Sequence, residues 1–124
     1  MNLRQPLMSI LGFGHSGGGS HHWWVQRLSA LALIPLALWF VFAVVHRVDL
    51  ERQVLIEWIQ HPLTTVLLVL YFACMFYHAQ LGLQVVIEDY IHTESRRNLI
   101  LLVVKTGMAI AAIASIFAVI RIAW

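Results

Sequence analysis

Three stretches of this chain run the length of a bilayer crossing with almost no charge. Leu28 to Val45 and Pro62 to Ile87 contain no Asp, Glu, Lys or Arg, and Asn98 to Ile120 contains only Lys105. A helix crosses the ~30 Å hydrocarbon core with about 20 residues, so each stretch is long enough. A membrane β-strand needs only about 10 residues and alternates in polarity, which these stretches do not. The expected fold is an all-α membrane protein with three transmembrane helices, spanning approximately residues 24–46, 62–90 and 98–121. Residues 1–22 are expected to be a flexible lead-in to a single transmembrane domain over 23–124.

Composition agrees. Of 124 residues, 60% are hydrophobic and 11% charged, against about 25% charged in an average soluble domain. A soluble domain of this size buries too small a fraction of its surface to hide so much apolar area. A net charge of +2 from few charged groups argues against nucleic-acid binding, which needs a dense basic face to displace counterions. The single cysteine, Cys74, sits in an apolar run and reads as a small packing residue. The first apolar run begins late, at Leu28, and is too long for a signal-peptide core. No Arg- and Ser-rich presequence precedes it, so neither a cleavable signal nor an organelle transit peptide is expected.

Lys and Arg near the span ends set the orientation. With the N-terminus inside, Arg4, Arg27, Arg96, Arg97 and Lys105 face the cytoplasm, and Arg47, Arg52 and Arg121 face outward. That asymmetry favours a cytoplasmic N-terminus and an outer C-terminus. Trp23, Trp24, Trp58, Tyr90 and Trp124 fall at span ends, as an interfacial belt would. The outer loop, 46–61, has an amphipathic turn through Ile56 and Trp58, and the inner loop covers 88–97. Pro35 is tolerated mid-span because neighbouring helices can satisfy the carbonyl it frees. Gly107, Ala111 and Ser115 form a small-residue stripe, suited to close packing within the chain or against a partner chain.

Of seven histidines, only His78 is deep in an apolar run. It precedes Asp89 by about 16 Å of helix. An ionisable group at such a depth is costly and marks a functional candidate: a haem ligand, a proton relay or a helix–helix hydrogen bond. Positions 78, 82, 85 and 89 share a stripe, so Gly82 leaves room beside His78, either for a flat macrocycle or for a close helix crossing. A bis-histidine haem would take its other ligand from a partner chain. Asp89 and Tyr90 close this helix at the inner side, where a phenol can donate to a quinone carbonyl. They also read as a solvated acid beside a belt tyrosine. Arg27 suits a haem propionate or a positive-inside anchor. Gly12, Gly14 and Gly17 spell a dinucleotide fingerprint without the strand and βαβ unit that it needs. His21 and His22 have no further ligand cluster around them and read as interfacial.

Two motifs carry a resemblance. His21-His22-Trp23-Trp24-Val25-Gln26-Arg27, leading into a span, resembles the N-terminal signature of the smaller cytochrome b membrane-anchor subunit of succinate dehydrogenase. His78-Ala79-Gln80-Leu81-Gly82, followed by Glu88-Asp89-Tyr90, resembles that family's second-helix motif, and the likeness covers nearly the whole chain. The resemblance implies that His78 is an axial ligand to haem b iron. It implies that Tyr90 binds ubiquinone with Asp89 adjacent, and that Arg27 approaches a haem propionate. It further implies a helix bundle shared with a larger cytochrome b anchor subunit, together with iron–sulfur and flavoprotein subunits, in a bacterial inner membrane. Succinate oxidation would belong to the flavoprotein, so this chain is not catalytic by itself. A haem-free structural anchor and a quinol–fumarate reductase anchor are the alternatives. A transporter would show a polar stripe through more than one helix, and the third span offers only Lys105.

Overall fold

In water-free hydrocarbon every backbone N–H and C=O must be satisfied within the chain, and a helix does this residue by residue. The computed structural model, which describes residues 18–124 and their side chains from residue 23, is built accordingly. It has α1 (Gly18–Val45), α2 (Arg52–Gln60), α3 (Pro62–Tyr90) and α4 (Glu94–Ala123). The three long helices are each apolar and long enough to cross a membrane. The expected flexible lead-in lies outside the described residues as far as residue 17, while α1 already includes residues 18–22. The glycine motif at 12–17 and the side chains of His21 and His22 also lie outside them.

The connection from α1 through α2 to α3 shows how the chain turns. At the end of α1 the backbone carbonyls lack helical donors. The N–H of His46 bonds the Phe42 carbonyl at 3.1 Å, and its Nδ1–H bonds the same oxygen at 2.8 Å. Arg47 reaches back to the Ala43 carbonyl at 3.1 Å, and its guanidinium lies 4.6 Å from the Trp58 ring centre. Where a brief turn is expected through Ile56 and Trp58, the chain forms the whole of α2. Leu55, Ile56, Trp58 and Ile59 are half-buried, and Arg52, Gln53 and Glu57 are exposed. His61 ends α2 and starts α3 in extended geometry, and Pro62 takes the first position of α3, where its missing N–H costs nothing. Thr65 Oγ1 bonds the Ile59 carbonyl at 2.6 Å, and Gln60 bonds the Ile122 carbonyl at 3.2 Å, tying α2 to the end of α4.

The turn between α3 and α4 is much tighter, with only Ile91–Thr93 linking them. Arg96 and Arg97 thus belong to the first turn of α4 rather than to a loop. Helix α3 is central, with α1 and α4 packed on it. The Phe40 ring of α1 stacks on Tyr71 of α3, and both meet Phe72. Few of the described side chains are buried, chiefly Ala43, Leu68, Tyr71, Leu81, Ile87 and Val119. Large apolar residues such as Leu31, Leu38, Leu102 and Ile113 are exposed on the long helices, surface left for lipid or protein. The small-residue stripe of α4 is not uniformly packed. Ala111 and Ser115 are half-buried, while a Cβ on Gly107 would meet nothing within 4 Å. Each step of four residues rotates the stripe by about 40°, which carries Gly107 off the face covered by α3.

Candidate functional site

The antiparallel course of α1 and α3 brings Ser29 opposite His78. Ser29 Oγ lies 3.0 Å from His78 Nδ1 and donates to the Gln26 carbonyl of its own helix at 2.9 Å. His78 is thus held on the α1 side of α3 by one ring nitrogen, and Nε2 stands on the other side of the ring, outside that bond. One turn toward the C-terminal end of α3, a Cβ on Gly82 would meet nothing within 4 Å among the described residues. Among the described residues, no helix crosses closely at this glycine. Open volume lies beside the histidine stripe.

Arg27 precedes Ser29 by two residues. Because Ser29 faces His78, the register puts Arg27 nearer the level of His78 than that of Asp89. It can sit there because α1 continues about two and a half turns beyond it toward the N-terminus, to Gly18. The guanidinium lies 5.1 Å from the Trp23 ring centre and is exposed.

Asp89 and Tyr90 lie at the other end of the reach. Tyr90 is the last residue of α3 and is 80% exposed, and Asp89 is exposed beside it. Along the helix axis Tyr90 is about 18 Å from His78. The structure thus separates the four expected site residues into two places: Arg27 near the level of His78, and Asp89 with Tyr90 at the helix terminus. Among the described residues no three His, Cys, Asp or Glu side chains come together as a metal-binding group. Among the described residues His78 would act as a lone ligand, which is the arrangement a porphyrin iron needs, because the macrocycle supplies the remaining nitrogens in its plane.

Two features escaped the sequence reading. One is Ser29, a small polar residue in an apolar run, whose role depends on which helix faces it. The other is a polar ladder on the opposite face of α3. Gln80 donates to Gln84 at 3.0 Å, and Gln84 donates to Glu88 at 3.0 Å. The four-residue spacing of Gln80, Gln84 and Glu88 was the available signal. This face borders a groove of about 530 Å³ between α3 and α4, lined among others by Phe76, Tyr77, Gln80, Lys105 and Ala112.

The chain matches, over residues 1–120, the family described as succinate dehydrogenase/fumarate reductase transmembrane subunit. A succinate dehydrogenase hydrophobic membrane anchor subunit of Rickettsia bellii is 31% identical, covering 95% of this chain and 94% of that one. The subunit of the same description from Paracoccus denitrificans is 26% identical over 98% of this chain and 93% of its own. A succinate dehydrogenase membrane anchor subunit of Reclinomonas americana is 28% identical over 71% of this chain and 76% of its own. No solved structure matches.

Proposed function

Since this chain belongs to the succinate dehydrogenase/fumarate reductase transmembrane subunit family, we propose that it supplies one axial haem ligand and one quinone-binding hydroxyl to the membrane anchor of such a complex. The observation that carries the reading is at His78. Its Nδ1 is engaged by Ser29 at 3.0 Å, its Nε2 is outside that bond, and the volume beside Gly82 is open. A ligand histidine needs this division of labour, with one nitrogen for the metal and the other held by a neighbour.

The residues therefore fit a b-type haem between this chain and a second anchor subunit that brings the opposite ligand. Bound there, the haem would supply one-electron storage inside the bilayer. Arg27, near the same level, offers its guanidinium to a propionate, a carboxylate that the planar fork matches in two hydrogen bonds. At the helix terminus Tyr90 donates its hydroxyl to a quinone carbonyl. Asp89 passes protons between water and the site, as the two-electron, two-proton reduction of ubiquinone requires. Electrons would come from an iron–sulfur subunit on the cytoplasmic side, fed by a flavoprotein that oxidises succinate.

The test is His78→Ala in the assembled complex. The three helices still insert, because alanine lowers the cost of the span, and haem b content falls to a small fraction of wild type. Full haem content with an unchanged spectrum would leave the chain as a structural anchor.

A further inference from the structure

Ser29 lies within the first span, and an apolar helix has no need of a hydroxyl there. We infer that Ser29 is a positioning residue that fixes the tautomer and donor strength of His78. This rests on the reading of His78 as an iron ligand.

The count of protons fixes the direction of the contact. A serine hydroxyl carries one proton. The Gln26 carbonyl is acceptor only and lies 2.9 Å from Ser29 Oγ, so the serine proton goes there. At the 3.0 Å contact with His78 Nδ1 the hydroxyl oxygen must then accept, and Nδ1–H donates. A neutral imidazole protonated at Nδ1 has its lone pair on Nε2. The direction of the chain, from the His78 N–H through Ser29 to the Gln26 carbonyl, thus settles which nitrogen is free to bind a metal. It also polarises the ring. Each hydrogen bond strengthens the next in a medium of low dielectric, so the carbonyl pulls on the serine proton and the serine oxygen pulls on the imidazole proton. The ring becomes a more basic ligand, which favours ferric over ferrous iron. The same contact ties α1 to α3 at the height of the ligand.

The experiment uses the whole complex carrying Ser29→Ala, Ser29→Thr or Ser29→Cys, with His78→Ala in parallel. Haem content, the haem midpoint potential and the g-values of the low-spin ferric signal are the readouts. With alanine the ferric form loses stabilisation and the potential rises, by about a tenfold change in the ferric–ferrous ratio, or about 59 mV for one electron. The g-values move with it. Threonine keeps the hydroxyl and restores both. Cysteine, a weak acceptor of similar size, shifts the potential the same way and serves if the alanine variant does not assemble. A potential within twofold of the wild-type ratio, with unchanged g-values, in loaded alanine or cysteine variants would overturn the role of Ser29. If His78→Ala also kept wild-type haem, the ligand reading itself would fail; if it lost haem, only the inference about Ser29 would.

Discussion

The Phe40 ring lies on the Tyr71 ring, centroids 4.3 Å apart and planes 15° from parallel. This stack joins α1 to α3 on the side of the Ser29–His78 contact that lies toward the C-terminal end of α1. Lipid tails are as apolar as the rings, so burial from water contributes little there, and packing itself holds the pair. An aromatic pair adds about 0.5–1.5 kcal/mol beyond area burial. Phe40→Ala is therefore expected to weaken association of α1 with α3 by about 1 kcal/mol. Thermal unfolding of the complex in detergent should show a lower midpoint. Haem retention should fall with it, because Ser29 travels with α1. An unchanged midpoint would show that the partner chain holds α1 in place without the stack.

Gly82 gives a test that depends on the surroundings. Among the described residues an added Cβ meets nothing within 4 Å, and replacing a helical glycine favours the helix by about 1 kcal/mol. Gly82→Leu should thus leave insertion untouched and obstruct the volume beside His78. The expected result is an assembled complex with much-reduced haem, read from its pyridine haemochrome. If assembly is lost instead, a partner helix crosses closely at this glycine.

The hydroxyl of Tyr90 can be isolated by Tyr90→Phe, which keeps the ring. A donor aimed at developing negative charge is typically worth on the order of 3 kcal/mol, about a hundredfold in rate. Quinone reduction should slow strongly, while assembly, haem and succinate oxidation with an artificial acceptor at the flavin persist. A rate within about twofold of wild type would limit the donor to ~0.4 kcal/mol and return Tyr90 to the interfacial belt.

Orientation is checked by reporter fusions. After Arg97 the reporter should be cytoplasmic, and after Arg52 it should be on the outer side, as the Lys and Arg asymmetry requires. The reverse pattern would put Tyr90 on the side opposite an iron–sulfur partner in the cytoplasm.

The fold could be read from the charge-free runs because membrane helices answer to length and hydropathy alone. His78 stood out for a similar reason, as an ionisable group where none is cheap. Ser29 did not, since a serine in an apolar run is equally at home bonding its own helix, and its Gln26 contact does this. Its second contact depends on the register between α1 and α3, a relation between distant segments that no local pattern encodes. The level of Arg27 follows from the same register. A charged residue at the edge of an apolar run marks the rim only if the helix stops there, and α1 runs on to Gly18. Helix α2 was underestimated because its nine residues are too few for a firm periodicity. Docking on Trp39, Arg47 and α4 stabilises it instead.

The central place of α3 has a consequence for synthesis at the ribosome. Helix α1 leaves the insertion machinery first, and its main neighbour within the chain has not yet been made. It waits in lipid with the Phe40 ring and the Ser29–Gln26 pair already formed as local features. Completion of α3 then supplies Tyr71 and His78 together. The segment through α2 acts meanwhile as a leash that keeps the waiting helix within reach. Pairing is therefore timed by translation, and the histidine enters the bilayer with its hydroxyl partner already there.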